Sequence, residues 1–392
     1  MRSDPSDMFT PYADLPDEVL QKVLGRTAEV ADAVRQLFTG ITDRKSEMRA
    51  ALRAAGQLKR YDELPGCPNT PTVAAVDGGA AIEKSLGADT ALAVAVGIEG
   101  LTDAPMVYWP GVQYASWQET LPHQGDETGA ACRGVMTALE LAVLRDAPHD
   151  CVLLDGAHLT PVIALSAMLS VTNETLRARI AEVVTRYDTA DALREVMQKP
   201  SVVAVVKYDS SRDLSHTFIP AELRGAGVGL DDKTLTTLLL EEGEYTTPQP
   251  VTLTQQSKNN WVSKHIPALT PTDAAREAVR LAVNDAVTLA RGGGILFTYF
   301  KPHVWSSAFR LEIKPETATD PDKLCAVLTG IRTQIVSPEI REPYPQWVAD
   351  RMAKSVGDAL VALRTAVNYD LADAGMGDFA ALFAHSYHTD AM

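Results

Sequence analysis

The sequence has few of the features that mark three common classes of protein. No apolar run approaches the 18 uncharged residues of a membrane-spanning helix, so we expect no membrane association. The beginning, MRSDPSDMFTPYADLPDE, is acidic and has no basic segment leading into an apolar one, so we expect no signal peptide and a cytoplasmic location. A zinc ribbon or a disulfide framework is not expected either, because no two cysteines form a CxxC pair. The cysteines are Cys67, Cys132, Cys151 and Cys325.

Several catalytic motifs are also missing from the 392 residues. Without GxxxxGK[ST] the chain is not a P-loop ATPase, and without GxSxG it has no nucleophile elbow. The eight histidines show no HExxH or HxH spacing, so a histidine-based zinc site is not expected, and His303 is predicted to be a loop residue. The net charge of −15 disfavours general nucleic-acid binding, unless basic residues cluster locally or a partner supplies them.

Helical periodicity dominates much of the chain. It predicts a helical N-terminal arm, taken as residues 1–65, which ends at the proline-rich stretch YDELPGCPNTPT (61–72). Asp231 or Asp232 is expected to cap a helix that begins there. Further helices are predicted at 127–146, 161–198, 272–290, roughly 320–332 and 345–368.

Apolar runs predict the strands. Three follow one another closely and suggest an antiparallel meander: TVAAVDGGAA (72–81), TALAVAVGIEG (90–100) and APMVYWPGVQYA (104–115). Others are CVLLDGAHL (151–159), SVVAVVKYDSS (201–211), GILFTYFKP (294–302) and AFRLEIKP (308–315). A meander followed by alternating helices and strands favours a mixed α/β sheet flanked by helices. We therefore expect one catalytic domain, residues 66–392, with helical insertions.

Two Asp-Gly motifs are the first candidates for chemistry. Asp77 in VAAVDGG and Asp155 in CVLLDGA each stand where a buried strand is predicted to give way to a glycine. Two carboxylates on neighbouring strands can bind a pair of hard cations about 4 Å apart, as in-line phosphodiester cleavage requires. The alternative is that each Asp-Gly is an ordinary turn.

Four further residues are candidates for the same site. Glu140, on the helix before Asp155, can present its carboxylate to the same cations or be a solvated helix residue. Lys207 can contact a scissile phosphate, hold a carboxylate in place, or be an ordinary edge lysine. Tyr344 precedes a proline that is placed to begin a helix, and Asp350 in the second turn can point towards the sheet or into solvent.

In their order along the chain, these motifs resemble the NurA family of DNA-end-processing nucleases. The resemblance covers about residues 70–360 and rests on short elements in a fixed order. They are AAVDGG (74–79), Glu140, CVLLDGAHL (151–159), VAVVKYDSS (203–211), LDDKTLTTLLLEEGEYT (230–246), FTYFKP with AFRLEI (297–313) and EPYPQWVADRMAK (342–354). The resemblance implies a ribonuclease H-like fold.

It also implies a metal site. Asp77, Glu140 and Asp155 match the residues that bind the catalytic cations, usually Mn²⁺ and otherwise Mg²⁺, and Tyr344 matches the family's tyrosine-proline segment. The chain departs from the family in having Gly79 where serine is usual and Asp350 where histidine is usual. We expect Asp77, Glu140, Asp155 and Asp350 to hold the metals in a two-metal hydrolysis, with Lys207 or Tyr344 steadying the developing charge.

Partners follow from the resemblance as well. Family members are typically homodimers that dock on a hexameric HerA-type ATPase and act on DNA. Such a motor would supply DNA contacts that an acidic chain lacks, and the N-terminal arm is a candidate for docking or dimerisation. Two alternatives remain: a non-catalytic NurA-like adaptor that caps an ATPase ring, favoured by the two departures, and an actin-like kinase or ATPase, since strand-Asp-Gly-Gly can also approach nucleotide phosphates.

Overall fold

The computed structural model describes residues 16–66, 69–85, 88–102, 108–109, 113–208, 210–224, 230–252, 273–379 and 389–391. The α-helices are α1 (Asp17–Gly25), α2 (Thr27–Ala54), α3 (Asp126–Asp146), α4 (Thr160–Leu169), α5 (Glu174–Arg186), α6 (Thr189–Gln198), α7 (Asp213–Phe218), α8 (Ala221–Arg224), α9 (Asp232–Leu239), α10 (Ala274–Arg291), α11 (Pro315–Thr319), α12 (Pro321–Gln334), α13 (Tyr344–Lys354) and α14 (Val356–Asp373). A 3₁₀ turn spans Tyr61–Glu63. The strands are β1 (Leu58–Arg60), β2 (Val73–Ser85), β3 (Ala88–Glu99), β4 (Tyr114–Leu121), β5 (Cys151–Asp155), β6 (Val202–Val206), β7 (Glu244–Thr246), β8 (Gln249–Pro250), β9 (Leu296–Phe300), β10 (Phe309–Ile313) and β11 (Thr389–Ala391).

All strands of the described residues form one mixed sheet in the order β1-β7-β9-β10-β6-β5-β2-β3-β4, with β11 beside β2 and β8 beside β9. Strands β2, β5 and β6 are parallel, and β3 runs antiparallel to both of its neighbours. Parallel neighbours need helical crossovers, which α3 and the α4–α6 group supply. The central order β4-β3-β2-β5-β6, with its second strand in chain order antiparallel, is ribonuclease H-like. The expected mixed α/β sheet is confirmed.

Both faces of the central strands are buried. Val152 and Leu154 of β5 lie in the core on the side of α3, while Cys151 and Leu153 lie in a second core on the side of α12. Side chains alternate between the two faces of a strand, so a strand covered on both sides reads as a continuous apolar run. This explains why CVLLD and VVAVV are recognisable in the sequence.

One strand of the predicted meander was placed wrongly. The expected strand at 104–115 is replaced by β4, which begins at Tyr114 and ends at Leu121; residues 103–107 and 110–112 lie outside the described part. Trp109 is buried outside any strand, with its ring packed over Gly97 of β3. The apolar character of Trp109 therefore reflects packing onto the sheet. Strand β4 has the alternating burial of a half-exposed strand, which is a weaker sequence signal.

The N-terminal arm, predicted as helical, also contributes a strand to the sheet. Strand β1, Leu58–Arg60, pairs with β7. In the second half of α2, Met48 and Leu52 are buried in the core, and Arg49 forms a buried ion pair with Glu244 at 2.6 Å. Residues 17–36 of the arm are almost all exposed.

The C-terminal helix predicted at 345–368 is two helices, α13 and α14, that meet at Ser355. Helices α3, α10 and α12 lie near their expected bounds, and the stretch predicted as helical at 161–198 holds three helices, α4, α5 and α6. Asp231 is the N-cap of α9, and its side chain accepts a hydrogen bond from the Thr234 backbone N–H. No helix among the described residues is long and apolar enough to cross a membrane.

Candidate active site

Asp77 and Asp155 lie side by side on neighbouring parallel strands. The register pairs Val76 with Leu154, which sets the next residue of each strand at the same level. Asp155 ends β5, and Gly156 follows with a φ of 82°, a conformation that glycine adopts without strain. Both carboxylates therefore lie where β5 ends beside β2.

The prediction that a strand also ends at Asp77 is wrong. Strand β2 continues to Ser85 and stays paired with β3 throughout. Gly78 is therefore not a turn residue. A Cβ at this position would overlap the Glu140 carboxylate and come within 2.7 Å of Met136.

Glu140 reaches this edge from the opposite face of the sheet. It lies on α3, which packs against β2 and β3, and its carboxylate occupies the space that a side chain at Gly78 would fill. The Gly78 N–H donates to Asp77 Oδ1 at 2.9 Å and also favours the charged form of Glu140. The missing side chain at Gly78 thus lets carboxylates from two faces approach each other.

Lys207 forms the positive centre of the cluster. Its Nζ lies 3.1 Å from Asp155, 2.7 Å from Glu342 and 3.9 Å from Asp350. Burial disfavours the ammonium charge, but the attraction of Asp155 and Glu342 outweighs it and raises the pKa of Lys207. Of the roles considered for this lysine, holding carboxylates in place is the one visible in the structure.

Helix α13 and the residues before it close the site. Gln346 is fully buried and donates from Nε2 to Asp155 Oδ1 at 2.7 Å. Asp350, one helical turn later, is partly buried and faces Lys207, and its other oxygen lies 2.7 Å from Lys354 Nζ. Gln346, Asp350 and Lys354 are spaced four residues apart and so share one face of the helix.

The helix can approach this closely because of Gly79. A Cβ at Gly79 would overlap the backbone carbonyl of Ala353 on α13. A serine at position 79 would therefore displace the helix that carries Gln346 and Asp350. The departure from Asp-Gly-Ser is matched by a close contact between β2 and α13.

The other residues considered earlier lie elsewhere. The Tyr344 ring contacts Trp347 at a centroid distance of 6.3 Å, and no hydrogen bond among the described residues joins its hydroxyl to the carboxylates. Asp232 accepts backbone hydrogen bonds from Leu214 and Ser215. His303 lies in a loop, as predicted, and its ring stacks on Trp305.

Negative charge exceeds positive charge in this cluster. Burial and the neighbouring Asp155 raise the pKa of Asp77 to about 7, although Lys207 opposes this. Burial, Asp77 and Asp155 raise the pKa of Glu140 well above its ordinary value. Repulsion between the carboxylates is therefore only partly neutralised by the two lysines.

These residues fit a hard divalent cation in their chemistry. The donors are carboxylate oxygens, which Mg²⁺ and Mn²⁺ prefer, and added positive charge would relieve the repulsion just described. Gln346 Oε1 is buried and has no hydrogen-bond partner among the described residues. Across that same part of the chain, however, no three histidine, cysteine, aspartate or glutamate side chains already converge closely enough to hold a metal ion, and Lys207 lies among the carboxylates.

An open cleft of about 550 Å³ leads to the cluster. Asp155, Lys207, Glu342 and Asp350 line it, together with Gly156 at the end of β5. A volume in this range accommodates a small-molecule or nucleotide-sized group. The carboxylates of Asp155, Glu342 and Asp350 can therefore be reached from solvent, whereas Asp77 and Glu140 lie behind them and do not line the cleft.

Glu342 and Gln346 were not predicted as site residues. A signal for Gln346 existed, because it lies four residues before Asp350 and hence on the same helical face. Glu342 precedes the helix in an irregular segment, where no periodicity indicates the direction of a side chain. Its contact with Lys207 depends on tertiary packing alone.

The fold matches solved structures, whereas the sequence matches neither a protein-family model nor a curated protein. The NurA nuclease from Sulfolobus solfataricus aligns with a TM-score of 0.53 and 15% identity over 92% of this chain and 98% of that one. A structure of NurA with manganese aligns with a TM-score of 0.49 and 11% identity over 88% of this chain and 98% of that one. The chain thus has a NurA-like fold.

Proposed function

We propose that the protein is a metal-dependent nuclease that hydrolyses phosphodiester bonds in DNA. The observation that carries the proposal is the placement of Asp77 and Asp155 at one level on adjacent parallel strands, with Glu140 reaching them past Gly78. The fold shared with a protein described as a nuclease supports it. The sequence motifs, in the same order as in the NurA family, support it independently.

The four carboxylates Asp77, Glu140, Asp155 and Asp350 would hold Mn²⁺ or Mg²⁺. When bound, such cations lower the pKa of water and neutralise charge that develops on a phosphate. Gln346 keeps Asp155 in one orientation through its hydrogen bond.

In the proposed reaction Lys207 stabilises the negative charge of the scissile phosphate. Its ammonium faces the cleft between Asp155 and Asp350. Cations that neutralise those two carboxylates would compete with Lys207 for them and leave its charge for the phosphate. The proposal also assigns Tyr344 a supporting role towards that charge.

Degradation of linear DNA tests this function. The wild type should release nucleotides with Mn²⁺ and none with EDTA. Asp155→Asn should lose more than about 100-fold in rate, since even outer partners of metal ligands cost about 10- to 100-fold. The matched control is Asp191→Asn, an exposed aspartate paired with Arg194, which should keep the wild-type rate. Equal rates for Asp155→Asn and the wild type would contradict the assignment.

A metal-free adaptor is the second candidate. The observation that favours it is Lys207, which already satisfies Asp155 and Glu342 without any added cation. In such a protein the cluster would be a structural ion-pair network that fixes α13 against β2. An adaptor would bind no Mn²⁺ at this site.

We also propose, from the sequence resemblance, that a HerA-type hexameric ATPase and a second copy of this chain are its partners in the cytoplasm. The exposed apolar residues of α1 and early α2 support a partner for this region. They are Val19, Val23, Leu24, Val30 and Val34. An ATPase that grips DNA would offset the repulsion expected from the acidic chain.

A further inference from the structure

A second cavity adjoins the candidate active site. It has a volume of about 560 Å³ and lies beside α9, with Phe38 of α2 also in its lining. Lys207 and Tyr208 line both this cavity and the cleft of the carboxylate cluster. A molecule that occupies both spaces therefore passes the Lys207–Tyr208 segment.

Tyr208 has an unusual environment for a large aromatic residue. Its side chain is 95% exposed, although tyrosine usually buries most of its ring. The segment around it is nevertheless held in place. Lys233 Nζ donates to the carbonyls of Val206 and Lys207, the latter at 2.6 Å, and the backbone carbonyl of Ser211 accepts from the Asp232 N–H at 2.8 Å.

The lining of the second cavity combines apolar and hydroxyl groups. Phe38 and Leu238 provide apolar surface. The hydroxyls of Thr234 and Thr237 already donate to Asp231 and to the Lys233 carbonyl, so they can act as acceptors towards a ligand, and the hydroxyl of Ser307 can donate or accept. An aromatic face with nearby hydroxyls suits a nucleobase, which has a flat surface for stacking and polar edges for hydrogen bonds. Among the described residues that line the cavity, the two lysines, Lys207 and Lys233, both have partners, so these residues form no cluster of free cations of the kind that would bind a phosphate chain.

We propose that this cavity binds the nucleoside next to the scissile phosphate, with its base stacked on Tyr208. The inference rests on the proposed nuclease function for the position of the phosphate at Lys207. Tyr208 is then a positioning residue that sets which phosphate of a single strand lies over the carboxylates. Stacking depends on the tyrosine ring and not on its hydroxyl. Because every base has a face that can stack, binding should tolerate any base sequence.

The first test is DNA binding in EDTA at low ionic strength, with a fluorescein-labelled single-stranded 12-mer followed by anisotropy. Tyr208→Ala should raise the Kd by about 5- to 150-fold, because one stacked base contributes about 1–3 kcal/mol. Tyr208→Phe should stay within about 2-fold of the wild type, since it keeps the ring. Tyr369→Ala, which removes a 71% exposed tyrosine on α14, is the matched control and should bind as the wild type does.

The second test uses 12-mers with one abasic site, moved one nucleotide at a time. At one position the wild type should lose as much affinity as Tyr208→Ala does on intact DNA, and there Tyr208→Ala should lose nothing further. The inference is overturned if Tyr208→Ala binds intact DNA like the wild type. It is also overturned if the wild type loses the same affinity at every abasic position, or if the wild type binds none of the oligonucleotides. If binding depends on Tyr208 but no DNA is cleaved with Mn²⁺, the proposed function fails while this subsite stands. If DNA is cleaved with Mn²⁺ but binding does not depend on Tyr208, the proposed function stands while this subsite fails.

Discussion

At the scale of single residues, the ionised form of Asp77 lowers the stability of the folded state, and a bound cation would remove this loss. Its pKa of about 7 lies above the ordinary value of 3.8 because of burial and the nearby Asp155. Between pH 3.8 and about pH 7, the Asp77 carboxyl therefore keeps its proton in the folded state and has lost it in the unfolded state. Stability falls as the pH rises through this window, and at pH 8 the full cost is present.

Asp77→Asn should therefore raise the free energy of unfolding at pH 8 in EDTA, by about 1–4 kcal/mol given that one pKa unit corresponds to about 1.4 kcal/mol. Mn²⁺ should stabilise the wild type and leave the variant unchanged. Thermal unfolding with and without Mn²⁺ measures both effects. A variant that is less stable than the wild type in EDTA would show that Asp77 is not under repulsion.

A second buried group, His158, is not part of the carboxylate cluster and gives the protein another pH-sensitive point. His158 is fully buried, and its pKa is lowered from 6.5 to about 4 by burial and by Lys314. The unfolded state takes up this proton below pH 6.5, while the folded state does so only near pH 4. Stability is therefore lost as the pH falls through that range.

Urea unfolding at pH 7 and pH 5 should show a loss of about 2 kcal/mol that depends on His158. His158→Gln should lose correspondingly less between these two pH values. The exposed His216 provides the control, and His216→Gln should behave as the wild type. An equal loss in His158→Gln would assign the acid sensitivity to other groups.

At the scale of elements, the sequence predicted what depends on local periodicity. Helix α3 and the strand at Asp155 were found because their apolar patterns and the following glycine are local signals. An end of β2 was predicted at Asp77 because Asp-Gly-Gly is typical of turns, and this prediction was wrong. Here the glycines make room for Glu140 and Ala353, which come from distant segments. No local pattern contains that information, and the role of Glu342 was missed for the same reason.

The contact between β2 and α13 gives a prediction at this scale. Gly79→Ala should destabilise the protein by about 1–3 kcal/mol, because the added methyl group meets a backbone carbonyl that cannot move independently of its helix. It should also weaken Mn²⁺ binding, since α13 carries Asp350. Gly66→Ala is the control, because its Cβ would meet no atom within 4 Å. Urea unfolding of the two variants decides between a required glycine and an incidental one.

At the scale of the whole molecule, the sequence indicated the mixed sheet. It did not indicate that the N-terminal arm has an exposed first part and a second part that belongs to the core. Its exposed part carries apolar side chains, while Ile41, Met48 and Leu52 belong to the core. Deletion of residues 1–58 would therefore remove core residues and the first residue of β1. A shorter deletion that keeps Ile41 and all later residues tests docking without removing residues of the core.

Deletion of residues 1–36 should leave the melting temperature within a few degrees of the full chain, since the described residues of this stretch are almost all exposed. It should abolish co-purification with a co-expressed HerA-type ATPase. Retained binding would place the contact elsewhere on the surface. A large loss of stability would show that the exposed half of the arm packs within the chain.

Calorimetric titration with Mn²⁺ tests the central claim most directly, because it separates a nuclease site from an adaptor without relying on activity. The wild type should bind Mn²⁺ at pH 8, where Asp77 is ionised. Asp155→Asn should bind it more than about 100-fold more weakly, and Asp191→Asn should match the wild type. The absence of binding to the wild type, or equal binding by Asp155→Asn, would contradict the account and leave Lys207 and its carboxylates as a structural network.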